Sequence, residues 1–243
     1  MKMRLNCDLG ESFGAWTMGL DTAVMPHIDL ANIACGFHAG DPVVMKQTLK
    51  LAKANGVTVG AHPGYHDLAG FGRRSMSCSF DEVVAMVQYQ VAALEGLAHT
   101  EGLELAYVKP HGAMYNDMMA KPEVRAAIMQ AIAEYHRPLV LMLQATPDMD
   151  QHRAEAAAAG IQVWFEVFAD RCYADDGKLL ARSKPGAVHN REKMLKQVKQ
   201  LCDEGTVTTV SGHVIDLQAD TLCVHGDNIE AVQAIEALRE LIG

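Results

Sequence analysis

The sequence has no clustered cysteines and no long apolar run, and each absence narrows the class of protein. Its six cysteines are dispersed and none forms a Cys-x-x-Cys pair, so a disulfide framework is not expected. No apolar run approaches the roughly 20 residues that span a bilayer. The first residues, MKMRLNCDLGE, predict a strand and not the apolar core of a signal peptide. We therefore expect a cytoplasmic protein with no membrane partner.

Basic residues are also scarce. Lysine and arginine number 21 against 30 aspartates and glutamates, and the resulting formal net charge of −9 argues against a nucleic-acid surface. The net charge of the whole chain does not determine the charge of a small pocket, so it does not exclude an anionic substrate. The chain has no Gly-x-x-x-x-Gly-Lys-Ser/Thr loop, so a Walker-type nucleotide site is not expected. We expect no serine-hydrolase site either.

The dominant pattern is an alternation of short apolar strands with longer helical stretches along 243 residues. This pattern is typical of a parallel sheet with helices outside it, either an open doubly wound sheet or a barrel. Polar residues follow nearly every strand, and a barrel gathers such strand ends on one face. We predict a single α/β barrel domain over residues 1–243, with about seven parallel strands at 3–9, 30–37, 57–61, 105–109, 138–143, 162–169 and 221–225.

Candidate functional residues follow the first three strands. Asp8 comes at the end of the first strand, where it could bind a metal or act as a general base; the alternative is a cap of a turn. His38 follows the second strand as a candidate for lining the site, whereas Asp41 fits better as the cap of helix 42–55. His62 follows the third strand, at the position where barrel ligands occur.

Basic residues near the third and fourth strands suggest recognition of an anion. Arg73 and Arg74 lie in a glycine-rich loop, where paired guanidinium groups could hold a phosphate or carboxylate; the alternative is a solvated surface pair. Lys109 ends the fourth strand and His111 follows it. Burial of an unpaired ammonium is costly, so Lys109 should meet a partner carboxylate or a substrate oxyanion.

The last two barrel strands add further polar candidates. Glu166 and Asp170 come from the sixth strand and its loop, and His225 and Asp227 end the last strand. The loop over 170–188 has a length often found in lids. Ionisable residues thus follow about six strands, which favours an enzyme over a purely structural barrel. Neutral imidazoles with one carboxylate would suit Zn²⁺ or a similar divalent ion.

Six segments in this order resemble the LamB/YcsF family of lactam-utilisation proteins. They are LNCDLGESFG, ANIACGFHAGDP, GAHPGYHDLAGFGRR, VKPHGAMYN, EVFADRCYADDGKL and VHGDN. The resemblance extends from the first strand to the last and covers nearly the whole chain. It implies a distorted (β/α) barrel similar to those of polysaccharide deacetylases and some glycoside hydrolases.

The resemblance also implies a reaction, which is the ATP-driven opening of 5-oxo-L-proline to L-glutamate with two partner 5-oxoprolinase subunits, B and C. Carried over by motif, the ligands of a divalent metal such as Zn²⁺ would be Asp8, His62 and His111. We expect the catalytic residues to be Asp8, Lys109 and His111, and the substrate-binding residues to be His38, Arg73, Arg74, Glu166 and Asp170.

Two alternatives remain at the level of the sequence. One is a free-standing, metal-dependent amidase or deacetylase acting on an N-acyl sugar, which would use the same aspartate and histidines but needs no arginine pair. The other is a non-catalytic barrel that binds a small acid or scaffolds its partner subunits, because fold and function separate easily.

Overall fold

The computed structural model describes residues 3–182, 184–225 and 229–243. Asp227, one of the candidates from the last strand, lies outside these residues. The strands in the described part are Arg4–Leu9 (β1), Leu30–Ala34 (β2), Thr58–His62 (β3), Leu105–Val108 (β4), Val140–Gln144 (β5), Gln162–Phe168 (β6), Thr206–Thr208 (β7), Val214–Asp216 (β8) and Thr221–His225 (β9).

Seven of these strands form a closed parallel barrel in the order β1-β2-β3-β4-β5-β6-β9. The barrel closes where β9 pairs in parallel with both β1 and β6. The prediction of a barrel of about seven parallel strands is confirmed. Its strands are almost wholly buried, as expected when helices cover the outer face and side chains fill the interior.

Helices lie outside the barrel and follow the strands. They are Asp21–Val24 (α1), Pro42–Asn55 (α2), Phe80–Thr100 (α3), Gly112–Ala120 (α4), Pro122–Ala133 (α5), Met149–Ala158 (α6), Arg191–Glu204 (α7), Ile229–Gln233 (α8) and Ile235–Ile242 (α9), with 3₁₀ turns at Met25–His27 and Leu68–Gly70. The side chain of Asp41 accepts hydrogen bonds from the backbone N–H groups of Val43 and Val44. Asp41 is therefore the cap of α2, as expected.

The structure departs from the predicted elements in several places. The second strand ends at Ala34, three residues early, and Gly36 then takes a φ of 95° that a side chain would disfavour. Helix α4 and the antiparallel β7–β8 hairpin were not predicted. The carboxy-terminal helical segment is divided into α8 and α9.

No helix in the described ranges combines the length and the apolar character needed to cross a membrane.

Candidate active site at the carboxyl ends of the strands

A hydrogen-bonded polar layer fills the barrel interior below the strand ends. Alternate residues of a strand share one face, which turns Asn6 and Asp8 of β1 inward together with Asn32 of β2. Asn32 Nδ2 donates to Asn6 Oδ1 at 2.8 Å and to Asp8 Oδ1 at 2.7 Å. Tyr107 donates its hydroxyl hydrogen to Asn32 Oδ1 at 2.6 Å. These bonds fix the orientation of the Asp8 carboxylate.

The ammonium of Lys109 lies at the centre of this layer. Its Nζ is 3.0 Å from Asp8 Oδ1, 3.0 Å from Glu166 Oε2, 3.3 Å from Asn6 Oδ1 and 3.1 Å from Cys223 Sγ. Burial lowers the pKa of Lys109, but Asp8, Cys223 and Glu166 raise that pKa well above its usual value. Lys109 is therefore a buried cation with two carboxylate partners, Asp8 and Glu166.

Asp8 is the anionic counterpart of this lysine. Burial raises the pKa of Asp8, yet the charges of His62 and Lys109 hold that pKa well below its ordinary value. His62 Nε2 lies 3.4 Å from the second carboxylate oxygen of Asp8, Oδ2. Asp8 is thus an ionised, oriented carboxylate at the wall of the cavity.

His62 and His111 face each other through nitrogens that both carry lone pairs when the rings are neutral. His62 Nδ1 lies 2.6 Å from the backbone oxygen of Lys109, and His111 Nε2 lies 2.9 Å from that of Phe71. A carbonyl only accepts, so these two nitrogens carry the hydrogens. His62 Nε2 and His111 Nδ1 then oppose each other at 3.0 Å. A shared proton or a bound cation would satisfy this pair.

Glu11 and His38 complete a cluster of four ligand-type side chains. One atom each from Glu11, His38, His62 and His111 lies within 4.8 Å of the others, and all four residues are buried. Glu11 Oε1 is 3.5 Å from His111 Nδ1. The rings of His38 and His111 are parallel, 5° apart in plane and 3.7 Å between centroids, so their in-plane lone pairs do not converge. The donors that fit a divalent ion are His62 and His111 with a carboxylate from Glu11 or Asp8.

A second set of ligand-type atoms comes from Asp8, Cys223 and His225. The Lys109 ammonium contacts both Asp8 and Cys223, so a positive charge is already present between them. This second set is therefore not expected to hold a metal ion.

A cavity of about 500 Å³ opens above the polar layer. Asp8, Glu11, His62, Lys109 and His111 lie along its wall. Its remaining basic side chains are Arg73, Arg171, Lys178, Arg182 and His225. Burial, and then the charge of Arg182, lower the pKa of Arg171 to about 10, so the cavity wall concentrates positive charge in an otherwise acidic protein.

Four residues predicted to bind substrate do not line this cavity. The guanidinium of Arg74 forms an ion pair with Asp67 at the exposed side of its loop. Glu166 is buried beneath Lys109, Asp170 lies behind His225, and His38 lies behind His111. Of the predicted substrate-binding set, only Arg73 reaches the cavity wall.

Sequence reasoning named Arg171 of the 170–188 loop but did not single out Glu11, Lys178 or Arg182. Glu11 belongs to the CDLGE segment, and the φ of 70° at Gly10 turns the chain before it. Lys178 and Arg182 come from the 170–188 loop. The guanidinium of Arg171 donates to Leu180 O of this loop at 2.7 Å and helps to hold it in place. The cavity is thus lined in part by the loop expected to be a lid.

Two local sequence patterns are typical of other kinds of functional site, and neither contributes to this one. Residues 10–14, GESFG, match Gly-x-Ser-x-Gly, but the Ser12 hydroxyl donates to the backbone oxygen of Met18 at 3.2 Å. His66 lies four residues after His62, yet it is exposed and packs on Phe37 with 4.7 Å between ring centroids. The expectation of no serine-hydrolase site therefore rests on the position of Ser12 and not on the absence of the pattern.

Known proteins are similar to this chain in sequence and in fold. The sequence profile of the LamB/YcsF family matches residues 3–243. A Pseudomonas fluorescens protein named as a subunit of 5-oxoprolinase is 52% identical over 99% of this chain and 97% of its own length. The protein of the same name from Chromohalobacter salexigens is 53% identical over 97% of this chain and 95% of its own length. The crystal structure of a lactam utilization protein from Thermus thermophilus matches with a TM-score of 0.90 at 41% identity, covering 100% of this chain and 96% of that one. The chain belongs to the LamB/YcsF family.

Proposed function

We propose that this chain is the lactam-hydrolysing subunit of an ATP-dependent 5-oxoprolinase, which opens 5-oxo-L-proline to L-glutamate in the cytoplasm together with partner subunits B and C. The observation that carries the proposal is the identity of about half of all residues, along the whole chain, with proteins named for one and the same subunit of 5-oxoprolinase. The site supports it, because an ionised carboxylate and a buried cation meet at the wall of a cavity that suits a small anion.

The energetics of the reaction explain the need for ATP. A five-membered lactam closes readily from glutamate and its amide carbonyl is a poor electrophile, so hydrolysis must be driven. Phosphorylation of the lactam oxygen gives a species that water can attack, and we assign this activation to the partner subunits. The present chain then performs the attack of water and the opening of the ring.

Asp8 is the proposed general base for this attack. Its carboxylate is oriented by Asn32 and kept ionised by His62 and Lys109, so it can accept a proton from water at the ring carbon. Lys109 also places a fixed positive charge where negative charge develops on the substrate, which lowers the barrier most in a water-poor site. His111 lies beside His62 at the same wall and would help to orient the water.

The arginines of the cavity are the proposed anion-binding groups. Arg73 comes from the glycine-rich loop, and Arg171 and Arg182 come from the 170–188 loop. Guanidinium groups bind carboxylate and phosphate through charge-assisted, often bidentate hydrogen bonds. They would hold the carboxylate of 5-oxoproline or the phosphate of its activated form.

A divalent ion such as Zn²⁺ would be held by His62 and His111 with Glu11 or Asp8. When bound, such an ion polarises a carbonyl oxygen and lowers the pKa of a coordinated water. With Glu11 as the carboxylate ligand, the roles given above to Asp8, Lys109 and the arginines do not depend on it.

Release of glutamate from 5-oxoproline and ATP tests the proposal, with purified subunits B and C and with this chain added or omitted. We expect glutamate only when the chain is present. If a complex shown to assemble by size-exclusion chromatography makes no glutamate, the proposal is wrong. Turnover of N-acyl sugars by the isolated chain without ATP would then support a free-standing deacetylase.

A further inference from the structure

His225 forms a buried pair with Asp170 that no proposed step has used. The ring nitrogen Nδ1 of His225 lies 2.9 Å and 3.1 Å from the two oxygens of the Asp170 carboxylate. An ionised carboxylate only accepts, so Nδ1 carries a hydrogen and donates it. In the neutral ring, the second nitrogen, Nε2, then carries a lone pair that can take up and release a proton.

The surroundings hold the His225 ring in one orientation. Asp170 is 1% exposed, whereas His225 contributes to the cavity wall. The ring of Phe168 stacks on that of His225, with planes 17° apart and centroids separated by 5.7 Å. A carboxylate behind the imidazole and an aromatic ring against its face are the features that position a general acid or base.

His225 and Asp8 face the same part of the cavity from adjacent strands. The parallel pairing of β1 with β9 places Asp8 directly beside His225. A ring nitrogen of His225 lies within 4.8 Å of a carboxylate oxygen of Asp8. One substrate molecule above them could therefore contact an acid on one strand and a base on the next.

The chemistry of ring opening needs such a second proton-transfer group. Attack of water on an O-phosphorylated lactam gives a tetrahedral carbon bonded to the ring nitrogen, a hydroxyl and the phosphate oxygen. Loss of phosphate returns the lactam, so ATP is consumed without product. Cleavage of the carbon–nitrogen bond opens the ring, but an amine leaves only when its nitrogen is protonated.

We propose that His225 is the general acid that protonates the lactam nitrogen, and that Asp170 is the positioning residue that orients it. The inference rests on the proposed function and deepens it. Water adds its oxygen to the ring carbon of the O-phosphorylated lactam, whose nitrogen keeps its hydrogen, and loses one proton to Asp8. The carbon–nitrogen bond then breaks with its electron pair going to nitrogen, which receives the proton of the His225 imidazolium, while the hydroxyl group on the carbon loses its remaining proton to solvent as the carbonyl forms. The acyl phosphate formed in this way is hydrolysed to glutamate and phosphate.

Charged groups approach the ring from several elements. Asp170 contacts it from the segment after β6, and Asp8 lies beside it on β1. Lys109, whose ammonium is shared between Asp8 and Glu166, and Arg171 of the 170–188 loop are cations at the same cavity wall.

The ratio of phosphate released to glutamate formed tests the proposal in the reconstituted complex. His225→Asn keeps an amide donor near the position of Nδ1 for Asp170 but removes Nε2. Wild type should release phosphate and glutamate in equal amounts. The variant should form glutamate about 10²–10⁴-fold more slowly while phosphate release continues, so the ratio rises. His136→Asn, at an exposed histidine remote from the cavity, should match wild type.

Asp170→Asn provides a second variant for the same role. An amide can donate to Nδ1 and so favour the wrong tautomer, and the ratio of phosphate to glutamate should again rise. Circular dichroism and assembly with subunits B and C show whether each variant is folded.

Two results would overturn the inference. Unchanged ratios in both folded variants would show that His225 transfers no proton to the ring nitrogen. An equal fall in phosphate and glutamate in both variants, with the ratio unchanged, would indicate a purely structural pair. A wild-type complex that makes no glutamate would instead contradict the proposed function, so the two failures are distinguishable.

Discussion

Nζ of Lys109 lies 3.0 Å from Oδ1 of Asp8. Both side chains are buried where the strands of the barrel end, and Glu166 approaches the same ammonium at 3.0 Å. One cation therefore compensates two buried carboxylates. Removal of one partner from such an arrangement leaves an uncompensated charge in a poorly solvated place, which costs far more than a surface ion pair contributes.

Lys109→Met should destabilise the fold by about 3–5 kcal/mol, because Asp8 and Glu166 lose their common counter-ion. The double variant Lys109→Met/Glu166→Gln should recover part of this loss, since one carboxylate is neutralised. Urea denaturation followed by circular dichroism measures both. Lys199→Met, at an exposed lysine paired with Asp203, is the control and should unfold like wild type. Equal urea midpoints for Lys109→Met and Lys199→Met would show that Lys109 does not stabilise the fold as the counter-ion of Asp8 and Glu166.

The barrel could be predicted from the sequence because two signals coincide at its strands. Each strand is a short apolar run, and polar residues such as Asp8, His62 and Lys109 lie at its end. Parallel strands bring those residues to one face, so the fold and the centre of the site were predicted together.

The rest of the site depends on loops and on packing across the barrel. Glu11 reaches the cavity only after the turn at Gly10, and Arg182 belongs to a loop whose residues 178–182 contribute to the cavity lining. The pairing of Asp170 with His225 joins residues 55 positions apart. The local pattern around Arg74 is similar to that around Arg73, so only the contact with Asp67 distinguishes them.

Arg73 and Arg74 should differ in their effect on substrate binding. Arg73→Gln should raise KM for 5-oxoproline by about 10- to 100-fold, the loss expected for one charge-assisted hydrogen bond, because Arg73 lines the cavity. Arg74→Gln should leave KM unchanged, since its guanidinium binds Asp67. Steady-state kinetics of the reconstituted complex separates the two. A rise in KM for Arg74→Gln alone would reverse this assignment.

The facing nitrogens of His62 and His111 predict a site for a divalent cation. Titration of the metal-free chain with Co²⁺ should produce a visible d–d absorption band, and Zn²⁺ should displace it. Zn²⁺ at about 100 times its Kd should also raise the unfolding free energy by about 2.7 kcal/mol. His62→Ala and His111→Ala should abolish both effects, with His136→Asn as control.

Retention of full Co²⁺ binding by His111→Ala would show that the 3.0 Å contact between His62 and His111 holds a shared proton and no metal. Glu11→Gln and Asp8→Asn distinguish the carboxylate ligand. Glu11 lies 3.5 Å from His111 Nδ1 and Asp8 lies 3.4 Å from His62 Nε2, so the variant that weakens binding more identifies the ligand.

Gly60 should be intolerant of any side chain, because Tyr107 packs against its Cα. A Cβ built at Gly60 would lie 2.3 Å from the Tyr107 ring, and that ring is fully buried. Gly60→Ala should cost about 1–3 kcal/mol of stability by overpacking. It should also lower kcat, because Tyr107 holds Asn32, which in turn orients Asp8.

Gly96 supplies the matched control for this substitution. It lies within α3, and among the described residues no atom beyond its own helix backbone is within 4 Å of its Cβ position, so Gly96→Ala should stabilise the protein by about 0.5–1 kcal/mol. The two glycine-to-alanine changes should thus shift the urea midpoint in opposite directions. Gly60→Ala/Tyr107→Leu should recover stability relative to Gly60→Ala, since the smaller side chain relieves the clash, but not kcat, since the hydroxyl that binds Asn32 is lost. A Gly60→Ala variant with wild-type stability and kcat would show that Tyr107 does not hold Asp8 in place.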